Sequence, residues 1–562
     1  MPDFEERADQ LSKEAVEDYF AQGKVFENAR KKLLSKGAKF LVGPRGTGKT
    51  HIMRFAYQSA IKDKSAPLPV YASFNRYLHL EPLLKRSPDA LKRFHSWVLA
   101  RILLGLAESA SVLGIDVSFL EQVDNKLNTQ KLTDLVSLLE RNSGEDLYEE
   151  FGQYITISHV IRASHDLCHK SGRRRVVLLL DDAALSLSDQ FLIAFFEIFR
   201  LLKLEDISPK ASVYPGSTQY GPSFHVSHEV EEVHLWLSVD DPDYSEIMGD
   251  IAARRIGGND LQEIKKEILE LLKYVSFGVP RAFLRLLREY FNEKAGTSQS
   301  KINKIIQKQA ELVGTEYDSL SIKLQQFSTI VKMGRKLFDK AVLDVAATQK
   351  DLLGVNRCVI IGIKEDGTKT PLCDRMLKFL VEVGLLYPLQ MVSHGTDRRY
   401  ERYIPHLAFL YQAGAFRKGK VTNFSSIYQT MALPASKHPV RRALKTLLSK
   451  AEVENLKLDL PACDGCGAER INDSQLFCHK CGKILVVSSL FENCMKLALE
   501  NVPGISAAMI RRIHDNTKIR FISDVVASQN PSTDLQVADY VGPVRAREII
   551  NKVSVTVDEF LS

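Results

Sequence analysis

The chain has 562 residues, 45% of them hydrophobic, and carries 76 Lys and Arg against 69 Asp and Glu for a net charge of +7. That length allows about three to five domains, and so mild a charge excludes a molecule basic all over, so any nucleic-acid surface must be a local patch. No apolar run approaches the ~20 residues of a membrane span, the acidic, polar start Met1-Pro2-Asp3-Phe4-Glu5 does not read as a secretory leader, and scattered Cys168, Cys358, Cys373 and Cys494 among apolar neighbours suit a reducing cytoplasm better than a disulfide scaffold.

Two amphipathic helices are expected first, through Ala15 to Phe20 and Val25 to Leu34, leading into an apolar strand at Phe40-Leu41-Val42. The strand breaks into Gly43-Pro44-Arg45-Gly46-Thr47-Gly48-Lys49-Thr50, and a helical pattern resumes at His51. Strand, glycine-rich loop and helix in that order form a phosphate-binding loop, because glycines let the backbone curl and aim N–H groups at phosphate oxygens. Lys49 is expected to reach the β and γ phosphates and Thr50 to ligate Mg²⁺, with Gly43, Pro44, Arg45, Gly46, Thr47, Gly48 and His51 completing the nucleotide contacts.

A second strand is expected at Leu68 to Ala72 and a long helix through Trp97 to Leu104. Strands spaced by helices point to a parallel α/β sheet. The third strand, Val176 to Leu180, is apolar throughout and ends in Asp181-Asp182. Carboxylates at the C-terminal end of a doubly buried strand lie where open α/β sheets bind ligands, so Asp181 is expected to hold Mg²⁺ through water and Asp182 to orient or deprotonate the attacking water. A fourth strand at Ala211 to Tyr214 runs into hydroxyl-bearing Ser217 and Thr218, and Gly278-Val279-Pro280-Arg281 opens a later helix that can bring Arg281 to a phosphate.

Loop, Asp-Asp strand, polar fourth strand and Gly-x-Pro-Arg, in that order over the first half, resemble the initiator-type AAA+ ATPases of the origin-recognition clade and the related signalling ATPases. The resemblance implies a five-stranded sheet with a helical lid, ATP between them, Ser217 or Thr218 as sensor 1 and Arg281 as sensor 2. Asp182 stands where the most active members carry Glu, which implies slow hydrolysis. No clear arginine finger follows the fourth strand, leaving Arg200, Arg254 and Arg255 as candidates.

Beyond a polar boundary at Lys294 to Ser300, a helix at Asp374 to Val383 precedes a hairpin whose tip spans Ser393 to Arg399. Helix then basic hairpin is the layout of a winged helix, which initiator-type ATPases carry after their lid. Arg375 and Lys378 are then expected in a DNA groove, and Arg398 and Arg399 over phosphates. The same layout also suits a winged helix that binds protein.

Cys463-x-x-Cys466 and Cys478-x-x-Cys481 are separated by eleven residues, and each knuckle is followed by glycine, Gly467 and Gly482. Four thiolates at this spacing close a tetrahedral Zn²⁺ site with no open position, hence a structural one resembling a zinc ribbon. Iron–sulfur or redox chemistry is the alternative. Finally, Val502-Pro503-Gly504 before the helix of Arg511 and Arg512, and Val541-Gly542-Pro543 before Arg545 and Arg547, resemble tandem helix-hairpin-helix elements. Their glycine turns and arginines are expected to hold DNA phosphates without reading bases. A helical protein-docking domain has a similar pattern.

The reading is an α/β P-loop NTPase parallel sheet over 1–235 with a helical lid at 236–300, a winged-helix region at 301–412, a helical linker at 413–459, a zinc ribbon at 460–486 and a small all-α helix-hairpin-helix tail at 487–562. It describes a cytoplasmic, ATP-, Mg²⁺- and Zn²⁺-dependent DNA-binding switch ATPase, acting on duplex DNA as a homo-oligomer or with a nuclease or effector partner in DNA processing or prokaryotic defence. A signalling ATPase with protein-binding C-terminal domains and a replication initiator are the rival readings.

Overall fold

The computed structural model describes the chain except residues 1–6, 76–79, 81–88, 141–144, 184–188, 219, 222–223, 257–260, 294–296, 352–356, 366–368, 394–398, 418–422, 436–439, 464, 472–474, 476, 484, 486–493, 527, 529 and 562. Arg398, most of the hairpin tip and part of the Lys294 to Ser300 boundary therefore lie outside the described residues. Among the described residues no helix is long and apolar enough to cross a membrane.

In chain order, α1 (Lys13–Asp18) and α2 (Lys24–Leu34) precede β1 (Lys39–Val42), α3 (Lys49–Lys62) and β2 (Leu68–Ser73). After α4 (Ala90–Val112) and α5 (Ile157–Lys170) come β3 (Val176–Asp181), α6 (Asp189–Leu201), β4 (Ile207–Val213) and β5 (Glu231–His234). All five strands are parallel, in the order β2-β3-β4-β1-β5. Every residue of β1, β3 and β4 is buried, as expected of strands covered by helices on both faces. Because β4 lies between β1 and β3, the chain leaving β1 must pass over two strands to reach β2. The crevice at that reversal is flanked by the loop after β1 and the carboxylates ending β3.

Two strands differ from expectation. β4 begins at Ile207, four residues earlier than the apolar pattern suggested, because Pro209 and Lys210 disguise a buried strand. Lys210 is tolerated there because its Nζ donates to Ser35 O at 2.7 Å and also to Gly37 O, binding carbonyls at the end of α2. β5 reads Glu-Glu-Val-His, and three of its four residues are exposed, so no apolar signal marks it.

The stretch expected to form a lid holds the helices α7 (Tyr244–Ile256), α8 (Lys266–Val275) and α9 (Pro280–Asn292), followed by the long helices α10 (Ser298–Lys323) and α11 (Ser328–Asp351). β6 (Ile361–Lys364), α12 (Pro371–Glu382), β7 (Leu386–Ser393), β8 (Arg399–Pro405) and β9 (Val440–Arg442) then form a second sheet, ordered β7-β8-β6-β9, with its helix. The helix-then-hairpin succession is thus present. One hydrophobic core runs unbroken from α3 through α7, α8 and α9 to Phe379, Leu386 and Ile404 of this second unit. In the tail, α13 (Ala507–Asn516) and α14 (Pro543–Leu561) bury Ile513, Ile549 and Val553.

Candidate functional site

The loop after β1 enters the left-handed region at Gly46 (φ +87) and Gly48 (φ +95). A Cβ on Gly46 would come within 3.0 Å of Arg281 Cβ and of Val279 Cγ1, so the start of α9 lies directly against the loop, and Arg281 N donates to Gly46 O at 3.3 Å. No side chain caps the start of α3, and the N–H groups of Gly46, Gly48, Lys49 and Thr50 meet no acceptor among the described residues. Orphan donors at a helix N-terminus form an anion site.

Cations converge on the same place. Lys49 is buried, its Nζ donating to Gly43 O at 2.6 Å and Pro44 O at 3.0 Å and lying 4.2 Å from the centre of the Tyr214 ring. Burial pulls its pKa down to about 7, opposed by the charges of Asp182 and Asp181. Burial, and then the charge of Arg45, hold the Arg281 pKa below its ordinary value. Its Nε is buried without a hydrogen-bond partner among the described residues. Gathering like charges and leaving a guanidinium nitrogen unpartnered is unfavourable unless an anion completes the set. A polyphosphate fits.

Across β4 stand the two carboxylates. Asp181 is fully buried and held by three donors: Ser212 Oγ at 3.0 Å, Asp182 N at 3.0 Å and Tyr71 OH at 2.9 Å. Ser212 Oγ also accepts from Asp182 N at 2.8 Å. Asp182 leaves the strand with φ +53, a conformation Asp accepts more readily than most residues. Burial, then the Asp181 charge, raises its carboxyl well above the usual range. Neither Tyr71 nor Ser212 carries a recognisable motif. Both are legible only from the register, which sets Ser73 beside Asp181 and Ala211 beside Leu180.

The hydroxyls after β4 are committed elsewhere than to the crevice. Thr218 Oγ1 donates to Tyr214 O at 2.7 Å and accepts from Tyr214 N at 3.1 Å, closing the loop on itself. Ser217 is gripped by Glu382 at the end of α12: the carboxylate accepts from Gly216 N and Ser217 N, each at 2.6 Å, and from Ser217 Oγ at 2.8 Å. Burial raises the Glu382 pKa against these hydrogen bonds, and its charge acts on Lys49. A carboxylate is disfavoured at a helix C-terminus, so contacts with the loop, not with its own helix, stabilise it there. Nearby, Tyr387 OH donates to Trp236 O at 3.3 Å with the two rings 4.7 Å apart, and Arg357 pairs with Asp240. The second unit is therefore fastened to the loop after β4 and to the segment after β5.

His51 faces away from the loop. Its Nε2 is 2.8 Å from Val16 O, and burial lowers its pKa to about 4. With Arg54, which donates to Leu11 O at 2.9 Å and to Ala8 O, it ties the N-terminal segment along α3. Of the finger candidates, Arg254 bonds Asp250 at 2.8 Å, Arg255 lies over Tyr19, and Arg200 is exposed.

The start of the chain carries a family likeness. Residues 2–74 match the family model described as ORC-CDC6-like, a stretch that holds β1, the phosphate loop, α3 and β2. Among solved structures the chain is similar to that of the Aeropyrum pernix ORC2 protein (ADPNP-ADP complexes), with 13% identity, 75% of this chain and 94% of that chain covered, and a TM-score of 0.27. So loose a superposition supports no correspondence of positions. No curated protein matches the chain.

The four cysteines of the later cluster come together. Their sulfur atoms lie within 4.8 Å of one another, with Cys463 and Cys481 at 3.5 Å and Cys466 and Cys478 at 3.4 Å. Four sulfurs about 2.3 Å from one ion would stand about 3.8 Å apart, so the cluster fits Zn²⁺. The knuckles are twins. Gly467 N donates to Cys463 O at 2.7 Å and Gly482 N to Cys478 O at 2.9 Å, with φ +69 and +70 at the two glycines. Lys480 N donates to Cys478 Sγ at 3.4 Å, a backbone contact of the kind that stabilises a metal-bound thiolate.

The expected DNA contacts are dispersed. Arg375 is half-buried, its guanidinium 4.9 Å over Phe327 and 5.5 Å over Phe379, which anchors α12. Lys378, Arg399, Arg511, Arg545 and Arg547 are exposed, and Arg512 is partly so. Gly504 has the expected left-handed turn (φ +82), whereas in the second unit that conformation belongs to Tyr540 (φ +63), two residues before Gly542.

Proposed function

We propose that this chain is an ATPase of initiator-like build that works as a slow nucleotide switch on DNA, within a multi-subunit DNA-processing or defence assembly whose effector or nuclease is a separate subunit. In this reading the amides after Gly43, Lys49 and Arg281 hold the triphosphate, and Thr50 and Asp181 hold Mg²⁺. The metal supplies charge neutralisation at the β and γ phosphates. Asp182 orients or deprotonates the attacking water, Ser212 and Tyr71 fix the Asp181 carboxylate, and the shorter Asp in place of Glu keeps turnover slow. Zn²⁺ at Cys463, Cys466, Cys478 and Cys481 stabilises the ribbon, and duplex DNA is held by the distal units.

The observation that carries the switch is Glu382, a residue of the second unit whose carboxylate fixes Gly216 and Ser217 beside the nucleotide crevice. Nucleotide state and the position of α12 then bias one element. The test is binding of a random-sequence duplex by fluorescence anisotropy, without nucleotide, with ADP and with ATP, for the wild type and Glu382→Ala. ATP is expected to change wild-type affinity, and the variant to bind alike in all three conditions. Wild-type binding indifferent to nucleotide would refute the switch. The anchoring of Arg375 favours a second reading, a signalling ATPase whose distal units dock protein, which predicts no duplex binding in any condition.

A further inference from the structure

The tail contains one turn twice. Set in register, Gly504-Ile505-Ser506 matches Tyr540-Val541-Gly542, Arg511 matches Arg547, and Ile513 matches Ile549. The first residue of each turn is left-handed, φ +82 at Gly504 and φ +63 at Tyr540. Glycine adopts that conformation freely, whereas a bulky aromatic residue is strained in it. Packing does not account for the tyrosine, since Tyr540 is 75% exposed and stands beside exposed Val537 and Val544. The second turn therefore holds an aromatic ring out in solvent at the expense of its own backbone.

The ring's neighbours are cations. The Arg512 guanidinium lies 4.8 Å from its centre, and Arg545 Nη1 donates to Tyr540 O at 2.8 Å. Arg511 and Arg547 are exposed on the matched helices, and among the described residues none of these four arginines pairs with a carboxylate. The first turn differs, because Lys552 Nζ donates to Gly504 O at 2.7 Å and its side chain lies over the glycine. The first turn is covered by a lysine of α14, the helix that follows the second turn, whereas the second presents an exposed aromatic ring among unneutralised guanidinium groups.

We infer that Tyr540 is a stacking platform for an unpaired nucleobase, with Arg512 and Arg545 set for the flanking phosphates, so that the second turn takes single-stranded DNA. Base on aromatic face with basic groups along the backbone is how single strands are held without sequence readout. The inference rests on the DNA-binding reading above and adds the strandedness and the contact.

The experiment uses the full chain and the variants Tyr540→Gly and Tyr540→Phe, with anisotropy on a labelled oligo-dT and on a blunt duplex of equal length, and thermal unfolding in parallel. Tyr540→Gly is expected to weaken oligo-dT binding about tenfold or more, the scale of one stacked base, while duplex affinity holds and the unfolding temperature does not fall. Tyr540→Phe is expected to bind like the wild type. Oligo-dT binding unaffected by Tyr540→Gly, or equal loss on both DNAs together with a lowered unfolding temperature, overturns the inference. A wild type that binds duplex but not oligo-dT also overturns it and leaves the DNA-binding reading standing. A wild type that binds neither ends both.

Discussion

Lys49 and Asp181 occupy opposite sides of the crevice, and each is held by groups that a bound triphosphate and metal would partly replace. Lys49 Nζ rests on the carbonyls of Gly43 and Pro44, an arrangement that a phosphate oxygen can compete with because the charge gains more from an anion than from two carbonyls. Lys49→Ala is expected to abolish ATP turnover and weaken nucleotide binding, read by phosphate release and by titration with a fluorescent ATP analogue. Unchanged turnover would remove the loop from the mechanism. Ser212 gives a finer test, since its hydroxyl donates to Asp181 and accepts from the Asp182 amide, bracing a pair that is otherwise joined by one direct hydrogen bond. Ser212→Ala leaves a buried carboxylate short of one donor, a loss of about 1–3 kcal/mol. Lower stability in urea and a fall in kcat larger than any change in KM are expected, whereas a kcat equal to the wild type would show that the pair needs no such brace.

At the level of elements, what could be read from sequence was what local chemistry determines. The glycine loop, the Asp-Asp strand and the paired cysteine knuckles need particular residues at fixed short spacings, and the structure has each of them in the expected element. β5 and the first half of β4 escaped because a charged edge strand and a strand holding Pro209 and Lys210 carry no apolar run. Thr218, His51 and Arg375 were singled out by residue type and position, yet their partners are Tyr214, Val16 and the Phe327 and Phe379 rings, which only the assembled fold brings near. Glu382 had no motif at all, since its partners are more than 160 residues away. The ribbon is the element with the sharpest prediction. Its own hydrophobic cluster comprises Cys463, Ala468, Cys478 and Leu485, too small to fold unaided, so its folding must come from the metal. Cys463→Ser or a strong chelator is expected to release one Zn²⁺ per chain and make residues near the knuckles protease-sensitive while ATP turnover persists. Purified wild-type protein without zinc would end the assignment.

For the molecule as a whole, the charge distribution decides what kind of DNA binding is available. A net charge of +7 over 562 residues cannot draw in a polyanion by its overall field, and the screening length of about 8 Å at physiological salt confines each cluster to its own neighbourhood. Of the clusters considered, the tail offers the best one: Arg511, Arg512, Arg545 and Arg547 lie on two helices that share a buried core through Ile513 and Ile549. Arg375 rests over the Phe327 and Phe379 rings, so its charge is expected to contribute less than that of the exposed tail arginines while α12 is docked. Duplex affinity should therefore fall with salt with a modest slope, set by about three or four phosphate contacts at roughly 0.9 each. Removing one exposed tail arginine, as in Arg511→Ala or Arg547→Ala, is expected to lower that slope by about 1 and to weaken all sequences equally, because such contacts touch phosphate and not base edges. Lys378→Ala is expected to change the slope only when nucleotide releases α12 from the crevice. Anisotropy titrations across a salt series, with and without ATP, read both effects. A steep slope unaffected by either tail substitution would move the DNA surface off the tail.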